Sequence, residues 1–298
     1  MNIDQLNEKF AIANELRFEN GKGDLPFVKI KNDKASCTLS LYGAHVLSFI
    51  PNQQEEVLWL SKTSEFKINT PIRGGIPICF PWFGPHANDG QKPPHGFARL
   101  VLWDVEGTKQ LPNGDTHIAL GLSESDYTKN IWPHAFKAQI NVTVGKELVV
   151  ELTYTNTSTE TFTCTDALHT YFNIGDLNLI SIDGLSEATY YDGFATELLT
   201  QNTPTLKIEK EENRRYVNHT NECTIVDEVL NRKIKVSKTG SNVTVVWNPH
   251  LETSKKIGDI HEGGYKNFIC VEAVNAYQDS IVLSPGESWS ISTNICIV

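Results

Sequence analysis

The stretch Ala138-Gln-Ile-Asn-Val-Thr-Val-Gly-Lys-Glu-Leu-Val-Val-Glu-Leu-Thr-Tyr-Thr155 decides the fold class of this 298-residue chain. Apolar and polar residues alternate on both sides of Gly145-Lys146, as in two half-buried strands joined by a tight turn. A period of two places one row of side chains on a core, whereas an amphipathic helix needs a period near 3.6. The stretch therefore predicts an antiparallel β-hairpin.

The same pattern extends outward along the chain. Residues 100–122 alternate around a turn at Asn113-Gly114, and threonine, valine and isoleucine are frequent in the other strand-like runs. Those runs are Thr38–Phe49, Thr161–Phe172, Val243–Trp247, Asn267–Val274 and Trp289–Val298. Helical patterns are weak and are confined to residues 4–14, 123–130 and 252–258. No linker divides the chain, so residues 1–298 are predicted to form one antiparallel all-β domain, a sandwich of many strands.

Composition narrows the possible partners and cofactors. The net charge of −10 argues against nucleic acid and anionic membranes as partners. The six cysteines form no CxxC pair, and Cys79, Cys164 and Cys270 lie in apolar surroundings that predict small buried side chains. The chain has no signal-peptide pattern and no apolar run of the roughly 20 residues that span a bilayer, which predicts a cytoplasmic location. GxGxxG, P-loop, GxSxG and HExxH patterns are absent, so no cofactor is expected.

One segment concentrates residues of functional interest. The run Arg73-Gly-Gly-Ile-Pro-Ile-Cys-Phe-Pro-Trp-Phe-Gly-Pro-His86 is followed by His95-Gly-Phe-Ala-Arg99. Its glycines and prolines forbid a regular helix. We expect the segment to bury little for its length and to hold side chains in place rather than fill a core. Its arginines indicate an anionic ligand, and its aromatic residues indicate a flat, partly apolar one such as a sugar ring.

Two later residues are candidates for proton transfer. His169 follows a strand-like run, and the ordinary histidine pKa near 6.5 suits a proton donor or acceptor at neutral pH. The alternative is a hydrogen-bonded core histidine. Glu272 lies within the apolar strand Phe268–Val274, where a carboxylate is costly to bury unless it is paired or functional. The alternatives are that Glu272 lies on the solvent-exposed face of an edge strand or forms a salt bridge with an arginine.

Five residues are candidates for substrate binding. Arg73 and Arg99 flank the aromatic segment and suit bidentate phosphate binding, although ordinary salt bridges would also account for them. His95 could contact a ring oxygen or hydroxyl, or be a simple loop histidine. Asp192 precedes glycine, as in a common turn. Trp247 could stack on a sugar or pack in the core.

Together these motifs resemble those of the hexose-6-phosphate mutarotases, also called glucose-6-phosphate 1-epimerases, of the aldose 1-epimerase superfamily. The matching pieces are RGGIPICFPWFGPH (73–86), HGFAR (95–99), ALHTYF (167–172), YYDGF (190–194), VVWNP (245–249) and ICVEAV (269–274). They occur in family order over about two hundred residues, and the first two are the most specific. The resemblance implies a galactose-mutarotase-like antiparallel β supersandwich.

The resemblance also implies roles for individual residues. His169 matches the catalytic histidine and Glu272 the catalytic glutamate. The substrate-binding positions are matched by Arg73, Arg99 and Asp192, with the arginines near the phosphate, and His95 falls where a sugar contact is expected. Pro94 departs from the pattern, because some relatives carry a substrate-binding glutamine there and Gln91 lies three residues earlier.

The activity expected from this resemblance is the interconversion of α and β anomers of a hexose 6-phosphate. Glu272 would act as general base and His169 as general acid, while Trp247 and the aromatic residues at 80–83 would wall the sugar ring. The expected partner is a small sugar phosphate, with no metal and a monomeric chain. Three rival interpretations stay open: a mutarotase of neutral aldoses such as glucose or galactose, a non-catalytic carbohydrate-binding sandwich, and a metal site formed by His95, His169 and Glu272.

Overall fold

A computed structural model describes residues 1–298 and contains three α-helices and 22 β-strands. The helices are α1 (Ile3–Phe10), α2 (Asp126–Ile131) and α3 (His250–Ser254). The first eleven strands are β1 (Leu16–Asn20), β2 (Pro26–Lys31), β3 (Ala35–Ser40), β4 (His45–Pro51), β5 (Ile78–Cys79), β6 (Asp104–Gln110), β7 (Thr116–Ser123), β8 (Phe136–Val144), β9 (Glu147–Asn156), β10 (Phe162–Cys164) and β11 (Asp166–Leu168). The remaining strands are β12 (Tyr171–Asn173), β13 (Ile180–Asp183), β14 (Thr189–Asp192), β15 (Leu199–Thr200), β16 (Glu212–Tyr216), β17 (Cys223–Asp227), β18 (Arg232–Thr239), β19 (Val243–Asn248), β20 (Phe268–Asn275), β21 (Ile281–Leu283) and β22 (Ser288–Ile297).

The strands form two large sheets and two small ones. One eight-stranded sheet has the order β13-β17-β18-β22-β9-β8-β7-β6, and the other has the order β15-β14-β16-β19-β20-β11-β5 with β12 also paired to β20. The strands β1 to β4 form a third sheet, and β10 pairs with β21. Side chains from both large sheets, such as Val142 and Val246, contribute to a shared core of 64 buried apolar residues. The predicted antiparallel all-β sandwich is confirmed.

The two hairpins predicted from alternation are confirmed, because β8 pairs with β9 and β6 with β7. Along β8 the side chains alternate regularly between buried and partly exposed. The strand-like runs Thr38–Phe49 and Thr161–Phe172 are confirmed as β structure, but each contains more than one strand. The first spans the end of β3 and the start of β4, and the second contains β10, β11 and the start of β12. The turn between β3 and β4 is itself buried, with Gly43 donating its N–H to the Val101 carbonyl at 2.7 Å. A buried turn lacks the polar residues that reveal turns in a sequence.

The helices lie where the weak periodicity indicated, although α1 ends at Phe10. No helix of the chain is long and apolar enough to cross a membrane. All six cysteines are free, and Cys79, Cys164 and Cys270 are buried as predicted.

The expectation that the segment 73–99 buries little is wrong. Its residues Phe80, Trp82 and Phe97 are buried, and the Phe80 ring centroid lies 4.8 Å from that of Tyr154 on β9. The glycines and prolines bend the chain so that alternate side chains reach the space between the sheets. Of the aromatic residues at 80–83, Phe83 alone reaches the cleft described below. The predicted aromatic wall therefore belongs mostly to the core.

Candidate active site

The register of four neighbouring strands builds the floor of a cleft. Arg215 on β16 lies opposite Val245 on β19, which lies opposite Glu272 on β20. On the other side of β20, Ala167 pairs with Val274, so the next position of the ladder brings His169 opposite Glu272. Side chains that face each other across an antiparallel ladder point to the same side of the sheet. Residues from four distant parts of the sequence thus form one row.

A second row of side chains lies beside the first, because each of its members is two residues away from a member of the first row on the same strand. Asn213 pairs with Trp247, Trp247 with Cys270, and Cys270 with Tyr171. Because side chains repeat with a period of two, this row points to the same side as the first. Trp247 was predicted from sequence as a substrate-binding residue, and its side chain does line the cleft.

The cleft above these rows has a volume of about 480 Å³, within the ordinary range for small-molecule sites. Its charged and aromatic lining includes Arg73, His95, His169, Arg215, Trp247 and Glu272. Five of these six residues were predicted from sequence to carry substrate binding or proton transfer, and the cleft brings them together. Arg215 was not predicted.

His169 and Glu272 form a buried pair. Their Nδ1 and Oε1 atoms lie 3.5 Å apart, and the side chains are 10% and 1% exposed. Neither His169 Nδ1 nor Glu272 Oε2 has a hydrogen-bond partner in the protein. Buried polar atoms are rarely left unpaired in folded proteins, which marks this pair as a site of functional rather than structural use.

Burial sets the proton balance of this pair. Burial raises the pKa of Glu272 well above its ordinary value, because the carboxylate loses its hydration. Burial also lowers the pKa of His169, and the positive charges of Arg73 and Arg99 lower it further. The pair can hold one proton in two ways: on the Glu272 carboxyl beside a neutral His169 imidazole, or on His169 as imidazolium beside the Glu272 carboxylate. The pair can therefore exchange a proton with a ligand in either direction.

Aromatic neighbours fix the orientation of the His169 ring. It stacks on Tyr171 with ring centroids 4.8 Å apart and planes 9° apart, and it meets Trp247 edge-on at 5.8 Å. Its backbone N–H donates to the Pro77 carbonyl at 3.1 Å. Unlike a hydrogen-bonded core histidine, His169 lines an open cleft, and its Nδ1 has no hydrogen-bond partner in the protein.

His95 is a neutral hydrogen-bond donor on the cleft wall. The Gly84 N–H donates to His95 Nδ1 at 3.3 Å, which leaves the proton of the neutral ring on Nε2. Burial, with Arg99 and Arg73 nearby, lowers the pKa of His95 to about 3. At neutral pH this side chain therefore presents Nε2–H to the cleft and no charge.

The guanidinium of Arg73 is already held by protein groups. Its Nε donates to Asp259 Oδ1 at 3.0 Å and its Nη1 to the Tyr171 hydroxyl at 2.9 Å. Burial alone would lower the pKa of Arg73, but these two partners outweigh burial and raise it. Arg73 is thus a fixed, charge-compensated group beside the aromatic ring on which His169 stacks.

Arg99 and Asp192 do not line the cleft. Arg99 is buried behind it, where Nη2 donates to the Pro94 carbonyl at 2.8 Å and burial lowers its pKa. Pro94 therefore contributes its backbone to Arg99. Asp192 ends β14, and the next two residues, Gly193 and Phe194, line the cleft.

The sequence analysis missed Asn213, Arg215 and Tyr277, which all line the cleft. Asn213 and Arg215 lie on the strand Glu212–Tyr216, whose sequence ENRRY resembles an exposed polar segment. Their spacing of two residues does predict a common face, although nothing in the sequence shows that this face meets a ligand.

A possible cation site overlaps the buried pair. Ligand atoms of His169, Cys270 and Glu272 lie within 4.8 Å of one another. The structure thus groups Cys270 with the pair, whereas the rival metal interpretation from sequence used His95. Burial raises the pKa of Cys270 well above its ordinary value, and the nearby Glu272 raises it further. A cation at this position would therefore have to displace the thiol proton, because a metal binds the thiolate.

The family model for aldose 1-epimerase matches residues 26–296, and the chain belongs to this family. It is 37% identical over 255 residues to an Escherichia coli K12 protein provisionally named glucose-6-phosphate 1-epimerase, covering 85% of this chain and 84% of that protein. A Cenchrus ciliaris protein with the same provisional name is 35% identical over 258 residues, covering 84% and 77%.

Solved structures show the same architecture. The crystal structure of a provisionally named mutarotase from Salmonella typhimurium superposes with a TM-score of 0.89 at 31% identity, covering 99% of each chain. A galactose mutarotase-like protein from Lactobacillus casei shares the fold with a TM-score of 0.73 at 16% identity, covering 91% of this chain and 100% of the other. The predicted galactose-mutarotase-like fold is confirmed, and the protein is an aldose epimerase.

Proposed function

We propose that this protein interconverts the α and β anomers of hexose 6-phosphates, with glucose 6-phosphate as the first substrate to test. The observation that carries the proposal is the His169–Glu272 pair, buried at 3.5 Å on the floor of a sugar-sized cleft. The names of the relatives support the phosphorylated substrate.

The pair suits the two proton transfers that the reaction needs. A proton leaves the C1 hydroxyl for Glu272 while His169 protonates the ring oxygen, and the bond between C1 and the ring oxygen breaks to give the open-chain aldehyde. Rotation about the C1–C2 bond exposes the other face of the aldehyde, and the reverse transfers close the ring. The His169–Glu272 pair holds one proton before and after the reaction, so no proton is taken from or released to the solvent overall. Such general acid–base catalysis typically contributes about 100- to 10,000-fold.

A phosphate on the substrate would assist His169 as an acid. The positive charges of Arg73 and Arg99 are among the causes of its lowered pKa. An anion bound anywhere in the cleft offsets part of this positive charge and raises the pKa of His169 toward the range of a useful acid. A neutral sugar does not supply this compensation, which favours the phosphorylated substrate over a neutral aldose.

The other substrate contacts predicted from sequence are part of the proposal. His95 would donate from Nε2 to a sugar oxygen, and Trp247 would contact one face of the ring. Arg73 would donate from the cleft wall, and Arg99 would act through its charge from behind the wall. Asp192 would act at the rim, next to the cleft residues Gly193 and Phe194.

Anomer exchange measured by saturation-transfer NMR tests this function. The wild-type protein is expected to exchange glucose 6-phosphate at least about tenfold more efficiently than glucose, because one charge-assisted hydrogen bond contributes about that factor or more. Equal efficiency for both sugars would show a mutarotase of neutral aldoses. Binding without exchange above the spontaneous rate would show a carbohydrate-binding protein.

A further inference from the structure

Arg215 is a buried arginine on the cleft wall without a carboxylate partner. It is 9% exposed, its Nε has no hydrogen-bond partner, and its Nη2 makes one long hydrogen bond of 3.4 Å to the Ala195 carbonyl. The other cleft arginine, Arg73, differs because it forms an ion pair with Asp259. A buried charge without a counter-ion is costly, and proteins keep such charges where an anion binds.

Two tyrosine rings hold the Arg215 guanidinium. Its Cζ atom lies 4.1 Å from the ring centroid of Tyr277 and 5.4 Å from that of Tyr191. Contact with an aromatic face stabilises the cation in part and restricts its orientation. Since the rings accept no conventional hydrogen bonds, the guanidinium donates only to the Ala195 carbonyl, and its Nη1 group has no acceptor in the protein.

The ladder sets how far Arg215 lies from the catalytic pair. Arg215, Val245 and Glu272 occupy successive strands of one row, so the backbones of Arg215 and Glu272 are about 10 Å apart at the usual strand spacing. A hexose whose C1 lies between Glu272 and His169 extends its C6 substituent over a comparable distance. Arg73 contacts Tyr171, which pairs with β20 on the side opposite β19. The two arginines thus lie at opposite ends of the cleft.

We propose that Arg215 binds the phosphate of the substrate and thereby determines the preference for phosphorylated hexoses. This inference rests on the proposed function, and it locates the phosphate at the β16 end of the cleft. Arg73, already paired, then contacts sugar hydroxyls at the opposite end. The fork of Arg215 suits two phosphate oxygens, and inorganic phosphate is the simplest probe of this subsite.

The test compares Arg215→Met with the wild-type protein. Methionine keeps an unbranched apolar stem between the tyrosine rings and removes the charge. The KM for glucose 6-phosphate is expected to rise about 10- to 100-fold, while the KM for glucose changes less than about twofold. Arg215→Lys keeps the charge without the fork and should restore part of the loss. Arg17→Gln removes an equal charge from an exposed side chain and should change neither KM.

Thermal melts supply a readout that does not depend on activity. Inorganic phosphate is expected to raise the Tm of the wild-type protein and of Arg17→Gln, but not that of Arg215→Met, because ligands stabilise the folded state that they bind. Without phosphate, Arg215→Met should melt at or above the wild-type temperature, because it removes an uncompensated buried charge.

The outcomes separate this inference from the proposed function. If the wild-type protein prefers glucose 6-phosphate and Arg215→Met keeps that preference, the Arg215 assignment is overturned and the proposed function stands. If the wild-type protein shows no preference for glucose 6-phosphate over glucose, the proposed phosphorylated substrate is wrong. The thermal melts then decide whether Arg215 forms a phosphate site. Phosphate stabilisation that disappears in Arg215→Met would still support the subsite, whereas equal stabilisation of both proteins would overturn it.

Discussion

Replacing Glu272 by glutamine is the most direct test of the buried pair. The amide has nearly the same shape as the carboxyl group, so it creates no cavity, and Glu272 Oε2 has no hydrogen bond to lose. The substitution removes the ability to accept and release a proton. The structure therefore predicts a folded protein without its general base.

The expected loss of activity follows from the role assigned to Glu272. General acid–base catalysis contributes about 100- to 10,000-fold, so anomer exchange on glucose 6-phosphate should fall by at least about 100-fold. Saturation-transfer NMR measures this exchange rate directly after subtraction of the spontaneous rate. The KM should change little, since the amide still fills the cleft floor.

Stability should change in the opposite direction. The folded-state pKa of Glu272 is raised above its ordinary value of 4.5, so the wild-type protein loses stability from this group as pH rises above 4.5. Glutamine does not ionise and avoids this loss. At pH 7 the variant is expected to melt at or above the wild-type temperature, which distinguishes a catalytic defect from a folding defect.

A matched control is available on the same sheet. Glu212 is as buried as Glu272, but its carboxylate pairs with Arg214 at 2.7 Å and does not line the cleft. Glu212→Gln should lower stability, because it breaks a buried ion pair, and leave exchange per folded molecule unchanged. Exchange near the wild-type rate in Glu272→Gln would refute the assignment, as would an equal loss of exchange in both variants.

Two further expectations concern pH and metal. Burial raises the pKa of Asp166 from 3.8 to about 7. As pH rises between these values, the wild-type protein should therefore lose stability relative to Asp166→Asn, by at most about 1.4 kcal/mol per pH unit. Thermal melts from pH 5 to 8 measure the difference, and a Tm difference that does not change with pH would contradict the raised pKa. Dialysis against EDTA should leave anomer exchange unchanged, because the proposed reaction uses only proton transfer by His169 and Glu272. Activity that disappears and returns with Zn²⁺ would instead establish a metal site at His169, Cys270 and Glu272.

The fold was predictable wherever one sheet face meets water. Along β8 and β9, apolar and polar residues alternate because one face of the sheet is buried and the other is exposed, and this alternation predicts the hairpin at Gly145-Lys146. Every residue of β20 is buried, so its sequence FICVEAVN shows an apolar run without alternation. The turn at Gly43 was missed for a related reason, because it packs against the backbone of Arg99 and Val101 instead of water.

The site was predictable where one residue conflicts with its surroundings. Glu272 stands out because a carboxylate interrupts an apolar strand, and the structure indeed places it on the cleft floor. Arg215 gives no such signal, since it lies in the charged segment ENRRY and its burial depends on Tyr277, more than sixty residues later. For Arg99 the motif predicts a role in ligand binding, and that prediction stays open, since its guanidinium donates to the Pro94 carbonyl.

The strand register connects these observations. His169, Glu272, Val245 and Arg215 share a row because four strands pair in one antiparallel register, and a slip of one residue in any strand would turn its side chain to the other face. The spacing between the proton-transfer pair and the unpaired arginine is therefore set by whole strands rather than by loops. Hydrogen-bonded strands hold that spacing more rigidly than loops would. If Arg215 binds the phosphate as proposed, this fixed spacing would select substrates by the distance between their anomeric carbon and their anion.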